Sequence, residues 1–565
     1  LQISKGSIAL SIVLLEHPRL NNSVRCEEVV NAPLSACLFT GYIASVLREN
    51  KLTVEVANAH LYDWSIEETI THIIANKQLQ LLCVHTVYLW ERTMDIFDML
   101  STLKTANEAL HINLYGYFPT FAYKNILTDY PFVDSVTVGE PEFTTLDLAR
   151  GIVSENRTST EIQGSNTLLK KKRNPLSCPP LANPGNEVRR SVFPDGMNIA
   201  GLASKDKDGR VVFTPRPPIH NLDQLPYPCR QDVTLCQKKG IVTYIQGSRG
   251  CYGHCAFCYL NPFYEQTSLW RGRSANNIFD EIFKLHTKYS IENFYFSDAN
   301  FFGPGKYGSE RASALADLIL ANGLNIRFGF ECRVNDIEEK TIEKLVMAGL
   351  ANVFLGLESG DDNSLKRFKK HTTSEENKKA IRLLRNYGIE PTFGFIMFEP
   401  HATMQSIRNN FEFLKETGIM TSPAVTAHLL HHRQTVFQGT PAYQSMMQSQ
   451  TKLDDSFSPY EIFYKIKDLK ADAFSVIITN ICKDILALLP HTFVECNDML
   501  SDTRFDYPLL KKLNDALITA FEDILHKFES ASIVPNGEYF HSTHREIIND
   551  IQSLLLHANA LHETK

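Results

Sequence analysis

The chain has 565 residues, enough for three or four domains of ordinary size. Apolar residues at 43% and charged residues at 21% describe a globular protein able to bury sizeable cores, and a net charge of −7 with a pI near 6.3 argues against a broad electrostatic surface for nucleic acid or anionic lipid. Twelve cysteines over this length are too dilute for a disulfide scaffold, but Cys251, Cys255 and Cys258 cluster, which points to metal chemistry in a reducing compartment.

In chain order, the first apolar run is Ile8–Leu15. It is short, lacks a small-residue cleavage site and is followed by Glu16-His17-Pro18, so it reads as a strand rather than a signal peptide. No segment reaches the roughly 18 apolar residues of a membrane span. A soluble, cytoplasmic protein with no membrane or nucleic-acid partner is expected. Over residues 7–150, strands are predicted at Ser7–Leu15, Leu52–Ala57, Leu79–His85, Ile112–Tyr117 and Asp134–Val138. Helices are predicted between them at Ala36–Glu49, Ile66–Ala75, Thr93–Ala106 and Thr144–Val153. This α/β rhythm predicts an N-terminal doubly wound, Rossmann-like domain over 1–153, with ligands at the C-terminal strand ends.

Residues 154–235 read as a linker followed by a small connecting β segment, with strands at Asn198–Leu202 and Arg210–Phe213. The basic run Lys170-Lys171-Lys172-Arg173 fits a solvated linker. From 236 to 421 the rhythm resumes. Strands are expected at Ile241–Gln246, Asn293–Ser297, Arg327–Cys332, Asn352–Leu357 and Thr392–Met397, with helices between them. A second α/β domain follows, a partial or full (β/α) barrel with its site at the C-terminal strand ends. Over 422–565, Pro459–Leu488, Leu509–Phe528 and Arg545–Ala558 predict a helical C-terminal domain.

The strongest chemical signal is the C-x3-C-x2-C run Cys251-Tyr252-Gly253-His254-Cys255-Ala256-Phe257-Cys258, on the first loop of the second domain. Three thiolates can hold three irons of a [4Fe–4S] cube and leave the fourth open to a substrate or cofactor. A structural zinc site wants four ligands at other spacings, and His254, next to Cys255, is badly placed to be the fourth.

With aromatic Phe257 before the last cysteine, this run resembles the signature of radical S-adenosylmethionine (SAM) enzymes. The resemblance continues in Arg271-Gly272-Arg273-Ser274, Phe296-Ser297-Asp298-Ala299-Asn300, Phe330-Glu331-Cys332-Arg333, Leu355-Gly356-Leu357-Glu358-Ser359-Gly360 and Gly394-Phe395-Ile396-Met397. The family's P-G-E-T turn is here Pro400-His401-Ala402-Thr403. The resemblance implies a [4Fe–4S] cluster on Cys251, Cys255 and Cys258. It places SAM near Asp298, Asn300, Arg333, Glu358 and Ser359.

Residues 7–150 are similar to the cobalamin-binding domain that precedes many radical SAM enzymes. The matching segments are Ala32-Pro33-Leu34-Ser35, Ile43-Ala44-Ser45-Val46-Leu47-Arg48, Leu52-Thr53-Val54-Glu55-Val56 and Gly139-Glu140-Pro141-Glu142; Asn50-Lys51 replaces a customary glycine. No D-x-H-x-x-G motif supplies a histidine to cobalt. The resemblance implies cobalamin contacts from Tyr88, Trp90, Gly116, Gly139 and Glu140, with Thr86–Trp90 beneath the corrin and Gly116–Thr120 flanking the nucleotide tail.

Together these features imply a cobalamin-dependent radical SAM methyltransferase. It would methylate an unactivated carbon through a 5′-deoxyadenosyl radical and methylcobalamin. The alternative keeps the cofactors for a cyclase, ring-contraction or rearrangement reaction, and a non-catalytic cobalamin sensor conflicts with the cysteine loop. The expected partners are a small-molecule or peptide substrate and a reductant such as flavodoxin or ferredoxin. Cys26, Cys37 and Cys83 do not have the spacing of a methylthiotransferase's second cluster. His428, His431 and His432 are expected to face solvent or form local hydrogen bonds.

Overall fold

The computed structural model describes residues 11–18, 37–87, 93–153, 198–264, 270–448, 460–488, 507–530 and 545. The loop carrying Tyr88 and Trp90, the linker over 154–197 and most of the last expected helix lie outside the described residues. The chain divides into two compact units. One draws on residues up to Ile241 and on Phe263–Thr267, the other on most of the chain from Val242 onward. Among the described residues no helix is long and apolar enough to cross a membrane.

The first unit is built on seven strands: β1 (Ser11–Glu16), β2 (Val54–Asn58), β3 (Leu79–His85), β4 (His111–Tyr115), β5 (Ser135–Thr137), β6 (Leu202–Lys205) and β7 (Val211–Phe213). Their order is β2-β1-β3-β4-β5-β6-β7, parallel through β5 and antiparallel beyond it. β4 is buried along its whole length and β3 along nearly all of it, as parallel strands covered on both faces must be. Two features differ from expectation. Residues 202–213, expected to connect domains, extend this sheet by two strands. A helix, Tyr117–Asp129, starts immediately after β4 where a loop was expected. Its first turn is aromatic and Pro119 sits within it, so no polar–apolar period announces it. Its cap, Gly116, offers no side chain to reveal the start.

The second unit holds β8 (Thr243–Ile245), β9 (Ser248–Arg249), β10 (Arg271–Gly272), β11 (Asn293–Phe296), β12 (Arg327–Arg333), β13 (Leu350–Glu358) and β14 (Thr392–Phe395). β9 and β10 form a short antiparallel ladder. The others form a parallel sheet in chain order, β8-β11-β12-β13-β14. Chain order without reversal is the arrangement of a partial barrel, whereas a doubly wound sheet reverses at a switch point. Among the described residues β8 and β14 are its edges.

Three helices of this unit start at side-chain caps. Ser274 caps Ala275–Tyr289, and Thr373 and Thr403 form capping boxes for Ser374–Asn386 and Met404–Thr417. Beyond them, the unexpected helix Pro423–His431 packs with Leu469–Leu488 and Tyr507–Ser530. Phe521 lies 4.7 Å from Phe411, so the helical tail shares a core with the last barrel helix.

Candidate active site

The cysteine loop leaves β9 and is fastened before any cofactor is considered. Cys251 is buried and its Sγ accepts the Gly253 N–H at 3.3 Å. Asn261 Nδ2 donates to the Gly253 carbonyl at 2.6 Å. The Ala256 N–H donates to the Phe368 carbonyl at 2.9 Å, and the Ala256 carbonyl accepts from the Ala442 N–H at 2.8 Å. Phe257, the aromatic of the motif, meets Phe368 edge-on at 5.6 Å. Arg333 Nη1 lies 3.4 Å from Cys255 Sγ. Burial pushes the Cys251 thiol up, while the Gly253 N–H, Arg333 and Lys370 act the other way. His254 is exposed beside Asn261.

The segments expected around SAM fall into two groups. Asp298 is fully buried; its oxygens accept the Gly247 N–H at 2.6 Å and the Ser248 hydroxyl at 2.8 Å. Burial pushes its carboxyl up to about 6, against the pull of Arg311 and these donors. Asn300 is buried too, donating to Asp336 at 2.8 Å and accepting the Gly303 N–H at 2.8 Å. Ser359 donates to Asn410 Oδ1 at 2.7 Å. These three side chains therefore hold the strand-end loops in shape. The Arg-Gly-Arg-Ser segment does similar work. Buried Arg273 pairs with Glu281 at 2.6 Å and donates to the Gln246 carbonyl at 2.9 Å.

The second group is charged and sits at the ends of β12 and β13. Glu358 adopts a left-handed backbone conformation, φ 65°, which is costly for a side chain with a Cβ. Its Oε1 takes a 2.8 Å hydrogen bond from buried Lys370. Arg333 donates from Nη2 to the Lys370 carbonyl. Burial would lower the Arg333 guanidinium, but Cys255 and Cys251, as thiolates, raise it above its ordinary value. Two strand positions before Arg333, burial raises the Glu331 carboxyl to about 7, and Asp298 and Glu358 add to the effect.

In the first unit, register places Glu16, His85 and Tyr115 side by side at the C-terminal ends of β1, β3 and β4. His85 Nδ1 lies 2.8 Å from Glu16 Oε2, and Thr40 bridges Glu16 to the Tyr115 hydroxyl. Burial opposes charge on both members, yet Glu16 stays below the usual carboxylate range and His85 is held well above the usual imidazole value by Glu16. The buried His85 Nε2 has no hydrogen-bond partner. Gly116 lies against this histidine: a Cβ there would sit 2.9 Å from His85 Cδ2 and 2.7 Å from the Thr86 carbonyl. Thr120 donates to the Gly116 carbonyl at 2.7 Å and accepts the Gly139 N–H at 3.0 Å, so the two expected glycines form one cluster. Glu140 instead accepts the Ile219 N–H at 2.6 Å and anchors the chain after β7.

Residues 245–414 match the Radical SAM superfamily. They form a radical SAM domain. Over larger spans the chain resembles 4′-phospho-dehydrooxetanocin synthase of Priestia megaterium, at 26% identity over 68% of this chain and 49% of the relative. An uncharacterized methyltransferase of Pyrococcus horikoshii is 24% identical over 58% of this chain and 62% of its own length. The anaerobic magnesium-protoporphyrin IX monomethyl ester cyclase of Rubrivivax gelatinosus is 24% identical over 68% and 62%. The chain thus spans about half to three-fifths of these relatives. Among solved structures, the cobalamin-dependent SAM radical enzyme OxsB shares the fold at a TM-score of 0.68 and 17% identity, over 98% of this chain and 80% of its own. The radical SAM methyltransferase TsrM from Kitasatospora setae does so at 0.58 and 14%, over 93% and 100%.

A radical SAM domain implies a [4Fe–4S] cluster and SAM, and the residues present fit both. Among the described residues no three His, Cys, Asp or Glu side chains close on one point as ligands of a single ion. A cube makes a different demand, because each thiolate takes its own iron. Here N–H donors and cations already surround the sulfurs, which suits an anionic iron–sulfur group. Sequence reasoning about the radical SAM domain missed Lys370. Lys369-Lys370-His371 looks like a solvated basic run, and Lys369 and His371 are indeed exposed while Lys370 is buried. The Glu16–His85 pair was missed because its members are 69 residues apart.

Proposed function

We propose that the protein is a cobalamin-dependent radical SAM methyltransferase acting on a small molecule. The observation that carries this reading is the cysteine loop fastened beside Arg333, Glu358 and Lys370 within a radical SAM domain. Cys251, Cys255 and Cys258 would hold the cluster, and Arg333 and Glu358 would meet the polar end of SAM. Asp298, Asn300 and Ser359 would fix the loops around it. When bound, the cluster and SAM supply reductive formation of a 5′-deoxyadenosyl radical, and cobalamin supplies a methyl carrier. An external one-electron reductant is required.

Two observations support cobalamin. The likeness to OxsB and TsrM extends over nearly the whole chain. In addition, Gly116, Gly139 and His85 sit at the strand ends where sheets of this kind receive ligands. The chain is then read as a cobalamin-binding part, a connecting segment whose strands finish its sheet, a radical SAM part and a helical tail. A second reading, ring closure or rearrangement without methyl transfer, draws on the relatives named as a cyclase and a synthase.

Anaerobic reconstitution with iron, sulfide, cobalamin and methyl-labelled SAM tests the proposal. The methyltransferase reading expects labelled product and S-adenosylhomocysteine, both abolished in Cys255→Ala together with the bound iron. Product formation without S-adenosylhomocysteine would favour the second reading. Intact activity in Cys255→Ala would defeat both.

A further inference from the structure

The cysteine loop and Glu358 come from different strands, and one short segment, Phe368–Lys370, touches both. Its Phe368 carbonyl holds the Ala256 N–H, and its Phe368 ring receives Phe257. Its Lys370 carbonyl takes a hydrogen bond from Arg333, the residue that also reaches Cys255 Sγ. Its Lys370 ammonium is buried against Glu358 at 2.8 Å. The backbone makes room for this pair: a Cβ on Gly356 would sit 2.6 Å from Lys370 Nζ and 2.9 Å from Glu358 Oε1.

The segment is also held in unfavourable backbone geometry. Lys369 and His371 have φ of 53° and 56°, and Glu358, the ammonium's partner, has φ of 65°. Three side-chain-bearing residues in the left-handed region around one ion pair are a cost that the surrounding structure must hold in place. A surface lysine would place its charge without that cost.

We propose that Lys370 is a positioning residue that orients the Glu358 carboxylate toward SAM and supplies the buried positive charge that makes the cluster easier to reduce. This rests on the radical SAM reading above. Two consequences follow from its place. Without the ammonium, Glu358 loses the donor that fixes its direction. The cysteine loop also loses a positive charge that acts on Cys251 alongside Arg333, and the added electron meets less positive potential. The 2.8 Å pairing with the Glu358 carboxylate favours the charged form of the Lys370 ammonium against the cost of its burial.

The test uses the full chain, anaerobically reconstituted, as wild type, Lys370→Gln, Lys370→Arg and Glu358→Gln. Three quantities are read: iron and sulfide content, the cluster's midpoint potential by electron paramagnetic resonance titration, and SAM affinity by equilibrium dialysis. Lys370→Gln should keep its iron but titrate at a lower potential and bind SAM about tenfold more weakly, the effect of losing one charged hydrogen bond's orientation. Lys370→Arg should restore the potential. Glu358→Gln, which removes a neighbouring negative charge, should move the potential the opposite way. Wild-type potential and SAM affinity in Lys370→Gln would overturn the inference. If that variant does not fold, an unmoved potential in Glu358→Gln overturns it. A wild-type protein that takes up neither cluster nor SAM would instead defeat the proposed function, before any variant is compared.

Discussion

Glu331 shows how one side chain's surroundings become measurable. Its native carboxyl binds a proton more tightly than the unfolded chain does, because burial and the neighbouring Asp298 and Glu358 raise it from 4.5 to about 7. Between those values the unfolded state loses its proton first, so folding stability falls as pH rises and levels off above about pH 7. Asp298 acts in the same direction between 3.8 and about 6. Glu331→Gln should therefore flatten the pH dependence and stabilise the apoprotein at pH 8 by roughly 2–3 kcal/mol, with little effect near pH 4.5. Urea unfolding of both proteins at the two pH values measures this. A variant no more stable than wild type at pH 8 would show that the carboxylate is solvated. None of this was legible in the sequence, where Glu331 is one polar residue in a strand. Its environment comes from strands far apart in the chain, whereas the three cysteines announce themselves within eight residues.

Elements with a local cause were the easiest to foresee. Strands β3 and β13 are largely apolar runs, and the helices Ile66–Ala75 and Ser374–Asn386 begin at capping boxes visible as Ser65–Glu68 and Thr373–Glu376. Helix Pro423–His431 lacks a polar face and was missed, because a helix buried on most sides has no period to read. The turn Pro400-His401-Ala402-Thr403 departs from its family pattern in the middle two residues. The structure shows why that departure is tolerable for folding. Thr403 is the cap, its hydroxyl accepting the Ser406 N–H at 3.2 Å while Ser406 Oγ accepts the Thr403 N–H at 2.8 Å. Thr403→Ala should cost about 1 kcal/mol, and Ala402→Gly much less, in urea unfolding. Equal losses would mean that the turn backbone, not the cap, sets the helix start.

At the scale of the whole chain, the sequence showed two α/β rhythms and two short strands between them, but not the sheet those strands join. Residues 202–213 belong to the first sheet, and the Ile219 N–H is held by Glu140. A fragment ending at residue 153 should leave β5 as an open edge and self-associate, whereas one ending at 267, which keeps Phe263–Thr267, should melt cooperatively as a monomer. Gel filtration and thermal melts distinguish the two, and equal behaviour would show that β6 and β7 add nothing to the sheet. The Phe368–Lys370 segment has a consequence of another kind. Its contacts with Ala256, Phe257 and Arg333 are made by protein groups alone, so the cysteine loop is expected to keep its shape without iron. Loading is then a docking event rather than a folding event, unlike zinc fingers, which collapse when stripped. Chelation should leave the aromatic circular dichroism nearly unchanged while the cluster's visible absorbance disappears. A protein damaged by oxygen could then be refilled in place, without passing through an unfolded chain.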